Sequence, residues 1–295
     1  MLSRAIIAAV FACELALVAL SFNLGYRVIG FANFAHVEFV TVGAFIALTA
    51  ADYLPLPAAA LTGAVVAGLL AVVLNVSIFQ KLREASVGTK MIASAGVAVG
   101  LRGVVQFVWG VDPRRFAQPT RLFAIDGAQM SLIQSVVIVT AIVSVVVFSL
   151  LLKFTRIGRN VRAVADNLTL AEARGVPTGQ VLNQVWFISG AMAGLAGVLV
   201  GLDTFVRPEL GISLLVPMFA AAIVGGAGSP FGAILGAALV STASTAVVSI
   251  DFGEIFGGNS FYLGSEYKSI VAFSVLIMIL AIRPSGFFGE QRGRA

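Results

Sequence analysis

Five polar or ionisable residues lie inside or beside long apolar stretches of this sequence: Glu14, Asn33, His36, Glu38 and Arg102. A charged side chain in hydrocarbon costs about 2.5–3.5 kcal/mol, so such residues usually face protein or water and mark function. Asn33 and His36 are three positions apart and share a helix face, so we predict that they line or gate a path through a membrane. Glu38 points away from that face, and we expect Glu38 or Glu14 to pair with Arg102. A neutralised network that holds helices together, or a position at the membrane edge, explains the same residues equally well.

The sequence contains no residue pattern that is typical of a catalytic or metal-binding site. His36 is the single histidine and Cys13 the single cysteine, so no multi-histidine site, thiolate metal site or intrachain disulfide is predicted. No Ser-His, Cys-His or paired-carboxylate arrangement has a usable helical spacing. The phosphate-binding pattern G-x-x-x-x-G-K-[ST] does not occur, so any ATP and magnesium must be held by another chain. We predict a protein that is not an enzyme and that holds no cofactor or metal itself.

The composition indicates that a membrane surrounds most of the chain. Of 295 residues, 59% are hydrophobic and only 11% are charged, and the mean hydropathy is +1.01. A soluble fold of this size needs far more polar surface. Runs of roughly 20 apolar residues recur, each long enough to cross about 30 Å of hydrocarbon as a helix. We predict an all-α polytopic membrane protein of about eight to ten transmembrane or re-entrant helices. These helices form one domain, residues 1–295.

Apolar runs define the elements that must position the polar residues. They cover 5–24, 35–50, 58–79, 87–109, 131–152, 181–202, 213–226, 230–248 and 268–282. The runs 213–226 and 268–282 are too short to span the hydrocarbon core even when they are not tilted. Only a short glycine-containing stretch separates 213–226 from the next run. We therefore predict a broken or re-entrant helix pair at that point.

Glycine, with 31 residues, is concentrated where helices are expected to approach one another. The stretch GGAGSPFG contributes Gly225, Gly226, Gly228 and Gly232, which we assign to the helix break and its packing. Gly228, Gly232 and Gly236 recur at i, i+4 and are predicted to form one stripe along which another helix packs closely. Glycines between 190 and 201 repeat this spacing.

The distribution of cations predicts which side of the membrane each loop occupies. Placing loops 80–90 and 153–180 and the C-terminal tail inside the cell puts 11 of the 19 Lys and Arg there. The net charge of +5 is therefore attributed to cytoplasmic loops and not to nucleic acid binding. The side on which the first helix begins stays open, because it depends on whether run 35–50 crosses fully or only dips in.

A basic island at about 155–180 interrupts the apolar pattern near the middle of the chain. We predict a first helix over 158–165, with Arg159 and Arg162 on one face. A positively charged loop that merely sets the topology is the simpler interpretation of the charge alone. The residues that follow favour a more structured element.

A second short helix is predicted to start at Thr169, because Thr169 and Glu172 have the spacing of a capping box. Gly175 is placed to end that helix in a left-handed conformation, and Pro177 prevents its continuation. A loop that only fixes topology requires neither Ala171 nor a defined helix stop. These features favour a compact helical knob that docks into a cleft on a soluble partner.

Several segments, in order along the chain, resemble one family. They are GRNVRAVADNLTLAEARGV with GQVLNQVWFISGAMAGLAGVLVG, and also NFAHVEF, GGAGSPFGAILGA and SEYKSIVAFSVLIMILAIRPSGFFG. They resemble the permease subunits of branched-chain amino acid ABC importers, a family that includes urea and short-amide permeases. The resemblance covers almost the whole chain and is closer to the LivH-type subunit than to its LivM-type partner. It implies an ABC importer permease bundle in the bacterial inner membrane.

The resemblance also implies partners and a role for the knob. The implied partners are a second, homologous LivM-like permease subunit, two cytoplasmic ATPase subunits that hold ATP and magnesium, and an extracytoplasmic solute-binding protein. The residues implied in ATPase coupling are Arg159, Arg162, Thr169, Leu170, Ala171, Glu172 and Gly175. Branched-chain or other hydrophobic amino acids are the implied solute, with urea, short amides and aromatic acids as alternatives. An ion-coupled secondary transporter is the other mechanism that the embedded carboxylates permit.

Overall fold

The computed structural model describes residues 2–117, 122–125, 128–250, 263–264, 267–283 and 286–287. Its helices are α1 (Leu2–Ile29), α2 (His36–Ala50), α3 (Leu56–Leu74), α4 (Val87–Trp109), α5 (Leu132–Phe154), α6 (Arg156–Asp166), α7 (Leu168–Ala173), α8 (Thr178–Asp203), α9 (Leu210–Gly225), α10 (Pro230–Val248) and α11 (Lys268–Ile282). A π-helical stretch, Asn75–Phe79, continues α3. Strands β1 (Leu122–Ile125) and β2 (Ala128–Ser131) pair antiparallel, with Leu122 opposite Ser131.

The helices confirm the predicted all-α membrane fold, to which the described residues add one short β-ribbon. Six helices are long and apolar enough to cross a membrane, namely α1, α3 with its continuation, α4, α5, α8 and α10. The apolar helices α2, α9 and α11 are shorter, at 15, 16 and 15 residues. The runs predicted at 87–109, 230–248 and 268–282 have the same bounds as α4, α10 and α11.

Contacts at the helix ends divide the bundle into two faces. At the end of α1, Arg27 Nη2 lies 3.5 Å from Asp166 Oδ1 of α6. Just before α4, Arg83 Nη2 lies 2.9 Å from Glu172 Oε1 of α7. The ends of α1 and α3 therefore share a face with α6 and α7, and α2 must carry the chain across between them. Under the predicted orientation, α1 therefore begins outside the cell and run 35–50 crosses the membrane fully. The sequence alone left both points open.

The helices α1, α2 and α8 form the centre of the bundle, whereas α4 and α5 lie at its periphery. Every residue of α2 from His36 to Phe45 is buried. Trp186 of α8, which is 1% exposed, stacks on Phe79 with 4.9 Å between the ring centroids. In contrast, α4 and α5 each bury only three residues among the described part of the chain. Their outward faces carry valine, isoleucine and phenylalanine side chains, as lipid contact requires.

Close backbone contacts between α2 and α8 explain the small residues in these helices. A Cβ placed on Gly197 would lie 1.9 Å from the carbonyl oxygen of Val40. One placed on Gly43 would lie 2.3 Å from the Cα of Gly194. Real Cβ atoms do not come so near to backbone atoms, so both positions require glycine. The glycines between 190 and 201 thus serve helix packing.

A tight turn separates α9 from α10. Gly226 and Gly228 have φ of +105° and +85°, a conformation that other residues rarely adopt. The predicted stripe of Gly228, Gly232 and Gly236 is wrong at its first member, because α10 begins only at Pro230. Gly232 and Gly236 do pack on α9, where a Cβ on either would lie 2.0 Å from a carbonyl oxygen.

Candidate functional site

An ion pair between α2 and α4 is the central polar contact among the predicted path residues. Arg102 Nη2 donates to Glu38 Oε1, and the Glu38 side chain is fully buried whereas that of Arg102 is 23% exposed. Arg102 therefore pairs with Glu38 and not with Glu14, the other predicted partner. Glu38 Oε2 and Arg102 Nε are both buried and have no hydrogen-bond partner among the described residues. The pair is neutral as a whole but leaves one acceptor and one donor unused.

Asn33 and His36 do not share a helix face, which corrects the prediction from their spacing. α2 begins only at His36, and Asn33 precedes it in a turn, where its Oδ1 accepts from the backbone N–H of Ala35 at 3.0 Å. His36 Nε2 lies 2.9 Å from Ser21 Oγ, and the Ser21 hydroxyl donates to the Val18 carbonyl at 2.9 Å. Because that hydroxyl has one proton, His36 Nε2 is the donor to Ser21. The buried imidazole thereby joins α2 to α1.

Glu14 belongs to a second polar cluster, away from Arg102. It is 4% exposed within α1, and its Oε1 has no hydrogen-bond partner in the described ranges. Asp203, at the end of α8, and Lys268, at the start of α11, are close enough for their charges to act on Glu14. Neither residue was predicted from the sequence, because each stands at the edge of an apolar run and not inside it. No group of three or more His, Cys, Asp or Glu in the described residues is arranged to hold a metal ion.

A series of side-chain hydrogen bonds joins α4 to the centre of the bundle. Ser94 Oγ accepts from a backbone N–H just before α2 at 3.0 Å, and Trp109 Nε1 donates to a threonine hydroxyl of α2 at 2.8 Å. Gln106 Nε2 and Glu209 Oε1 are 3.5 Å apart. Together with Arg102, the residues Ser94, Gln106 and Trp109 form what we call the α4 seam. Their separations of three, four and eight residues put them on one helix face, a signal that the sequence already contained.

The basic island folds into the two short helices α6 and α7, which together form the knob. Thr155 caps α6, because its hydroxyl accepts from the N–H of Gly158 at 3.2 Å. Asn167 caps α7, because its Oδ1 accepts from the N–H of Leu170 at 2.9 Å. The predicted start of the second helix at Thr169 is wrong, since Asn167 supplies the capping oxygen two residues earlier.

Gly175 ends the knob in a left-handed conformation, with φ of +78°, as predicted. The N–H of Val176 donates to the carbonyl of Ala171 at 3.0 Å, and that of Gly175 to the carbonyl of Glu172 at 2.9 Å. This pairing is a Schellman motif. A Cβ on Gly175 would meet no atom within 4 Å, so the backbone conformation alone disfavours other residues there.

Some of the predicted coupling residues hold the knob to the bundle. The Arg162 guanidinium donates to a carbonyl at the end of α5, and Ala171 is buried. Glu172 accepts from Arg83 at 2.9 Å and from the Thr178 hydroxyl at 2.7 Å. The hydrogen bond from Arg83, followed by that from Thr178, holds the pKa of Glu172 below its ordinary value. These contacts fix the orientation of the knob relative to α5 and α8.

Other coupling residues face away from the bundle. Arg159, Thr169 and Leu170 are exposed, and Leu170 is 51% exposed despite its large apolar side chain. Val161 and Val164 occupy the opposite side of α6 and are buried. The knob therefore has an apolar side that packs on the bundle and an outer surface that the described residues leave uncovered.

Comparison with known proteins identifies the family. The family described as branched-chain amino acid transport system, permease component, matches residues 5–280. The chain belongs to this family. The permease is 29% identical to BraD of Pseudomonas aeruginosa, named as a high-affinity branched-chain amino acid transport system permease protein, over 93% of this chain and 91% of that protein. It is 28% identical, with the same coverage, to LivH of Escherichia coli K12, which carries the same description.

The fold of this permease is also found among solved structures. PsaBC from Streptococcus pneumoniae, solved in complex with Fab, matches with a TM-score of 0.54 and 16% identity, over 95% of this chain and 91% of that one. At such identity the likeness concerns the fold alone. The family resemblance carried by the sequence motifs is confirmed, and the permease is a multi-pass protein of the inner membrane.

Proposed function

We propose that this permease is the membrane-spanning subunit of an ATP-binding-cassette importer for branched-chain or similar hydrophobic amino acids. The names of its relatives BraD and LivH assign those proteins to branched-chain amino acid transport. The sequence has no phosphate-binding loop, so the energy has to come from ATPase subunits that contact the chain. The proposed partners are a second, LivM-like permease subunit, two cytoplasmic ATPase subunits that hold ATP and magnesium, and an extracytoplasmic solute-binding protein.

The construction of the knob carries this proposal. Its two helices are capped, a Schellman motif ends it, and Arg162 and Glu172 anchor it to the bundle. Its outer surface keeps Arg159 and Leu170 exposed. A loop that only fixed topology would need none of these bonds. A rigid projection with an uncovered outer surface is suited to receive a push from a partner and to transmit it.

A push on the knob is transmitted to the helices that are attached to it. α5 runs directly into α6, and the chain leaves α7 through a short turn into α8. The Arg27–Asp166 contact leads to α1, and the Arg83–Glu172 contact leads to the segment before α4. Both ion pairs are exposed and therefore contribute little to stability, so the buried side of α6 and the hydrogen bonds of Arg162 and Thr178 hold the knob in place. In the proposed cycle, closure of the ATPases tilts these helices and switches the path between outward and inward access.

Two substitutions in the knob test the proposal in a reconstituted transporter. Gly175→Val places a β-branched residue at φ +78°, which distorts the helix stop. Glu172→Lys replaces the attraction to Arg83 by repulsion. We expect both variants to remain in the membrane and to hydrolyse ATP, with severalfold less leucine imported for each ATP consumed. Normal leucine uptake per ATP in both variants would contradict the docking role.

Gly179→Val is the matched control. Gly179 lies in the first turn of α8, is exposed, and a Cβ there meets no atom within 4 Å. It differs from Gly175 in its ordinary helical backbone, so the control variant should keep leucine uptake and ATP hydrolysis coupled. The same assay with urea tests the solute, since uptake of urea without uptake of leucine contradicts an amino acid importer.

A further inference from the structure

The Glu38–Arg102 pair leaves two strong hydrogen-bonding atoms unsatisfied. A carboxylate and a guanidinium in contact often bind through two parallel hydrogen bonds. Here only Arg102 Nη2 and Glu38 Oε1 are joined, and Glu38 Oε2 and Arg102 Nε lack a partner among the residues that the structure describes. The Thr41 hydroxyl, in the next turn of α2, accepts from the N–H of Gly211 at 2.9 Å, and Oε2 stays without a partner. An unpaired acceptor therefore lies beside an unpaired donor, and both atoms are closed to solvent in this conformation.

Only the Arg102 side chain of the pair is partly exposed, on the side of α4. The Glu38 side chain is fully buried, whereas 23% of the Arg102 side chain is exposed although α4 is an apolar helix at the periphery of the bundle. Hydrocarbon cannot cover a guanidinium without a large cost, so this exposed part has to face water, protein or a polar solute. Arg102 lies seven residues before the end of α4, within the helix and away from both of its ends.

We propose that the Glu38–Arg102 pair recognises the zwitterionic head of the amino acid that the permease carries. In the conformation that admits the solute, α4 has tilted away from α2, the ammonium group binds Glu38 Oε2, and the carboxylate binds the guanidinium of Arg102. This inference rests on the proposed function and names the residues that select its solute. An α-amino acid has one donor group and one acceptor group on the same carbon, which matches one unpaired acceptor beside one unpaired donor.

Charge balance supports the same ligand. The ion pair has no net charge, and a zwitterion has none either, so binding adds no net charge to the pair. A ligand that has only a carboxylate or only an amine adds one charge that nothing in the pair neutralises. The pair should therefore reject both kinds of molecule even when their apolar parts are identical to that of the amino acid.

Three ligands with the same branched apolar chain test this selectivity. Leucine has both head groups, 4-methylpentanoate lacks the amine, and isopentylamine lacks the carboxylate. Binding to the complete transporter in lipid nanodiscs is measured by saturation-transfer NMR, without the solute-binding protein, so that selection by that protein does not enter. We expect the wild-type complex to bind leucine at least about tenfold more tightly than either analogue.

Two variants separate recognition from a structural role. Glu38→Gln leaves the guanidinium without its counter-charge and should shift the preference towards 4-methylpentanoate by about tenfold. Arg102→Gln leaves the carboxylate alone and should shift the preference by a similar factor towards isopentylamine. Shifts in opposite directions are not expected of a pair that only holds α2 to α4. Gln106→Ala loosens the same α4 seam one turn away and should leave the preference unchanged.

The inference is overturned if the wild-type complex does not discriminate among the three ligands, or if the two variants shift in the same direction or not at all. Should the glutamine variants fail to assemble, Glu38→Asp and Arg102→Lys keep both charges while they displace the binding atoms. Unchanged leucine affinity in both of these would overturn it too. ATP-driven leucine uptake with the binding protein present separates the two proposals. A wild-type complex that imports no leucine refutes the proposed function, whereas import with unaltered selectivity in the variants refutes this inference alone.

Discussion

The contact between Gly197 and the Val40 carbonyl allows a sharp test of the packing of α8. A Cβ on Gly197 would lie 1.9 Å from that oxygen, whereas ordinary contact begins at 3.4 Å, so α2 and α8 must separate by about 1.5 Å. Overpacking of this kind costs about 1–3 kcal/mol, and a backbone oxygen cannot rotate away, which favours the upper end. Alanine recovers about 0.5–1 kcal/mol of helix propensity. We expect Gly197→Ala to lower the free energy of unfolding by about 2 kcal/mol.

The measurement is unfolding by SDS in mixed micelles, followed by the fluorescence of the two tryptophans, Trp109 and Trp186. Gly96→Ala is the control, because Gly96 also lies inside a helix but a Cβ there meets no atom within 4 Å. That variant should be as stable as the wild type or slightly more stable. If Gly197→Ala matched Gly96→Ala, the close approach of α2 and α8 would be refuted.

Two further predictions concern the knob. Asn167→Ala removes the cap of α7 and should destabilise residues 168–173 by about 1 kcal/mol, seen as faster amide exchange, whereas Thr169→Ala should not. The contact of Glu172 with Arg83 contributes stability above the ordinary pKa of 4.5 and loses it as the pH falls through the lowered pKa. In NMR titrations the midpoint of Glu172 should therefore lie below 4.5 and should rise in Arg83→Ala.

The helices could be predicted well because membrane spans are encoded directly in hydropathy. Where a cap or a proline adds a local stop, the bounds agreed, as at Ser86 before α4 and Pro230 at the start of α10. The prediction for the first run ended near 24, yet α1 continues to Ile29. Its last turn contains Tyr26 and Arg27, which are too polar for an apolar run but are accommodated where Arg27 meets α6.

Features that depend on neighbouring elements could not be predicted from spacing alone. A spacing of three puts Asn33 and His36 on one face only if both lie in the same helix, whereas the side chain of Asn33 bonds within the turn before α2. The choice of Glu38 as the partner of Arg102 depends on how α2 and α4 are rotated against each other. The β-ribbon has two four-residue strands, which leave too short a pattern for an alternation signal.

Helix α4 connects the knob to the Glu38–Arg102 pair. In its first turn, Lys90 Nζ donates to the carbonyl oxygen of Arg83 at 2.7 Å, and Arg83 in turn contacts Glu172 of the knob. Further along the same helix lies Arg102, in contact with Glu38. Because α4 buries few residues and is joined to α2 mainly through the α4 seam, a small displacement at its knob end is not resisted by a packed core. A push that tilts α4 would change the distance between Arg102 and Glu38, and with it the affinity for a ligand held between them.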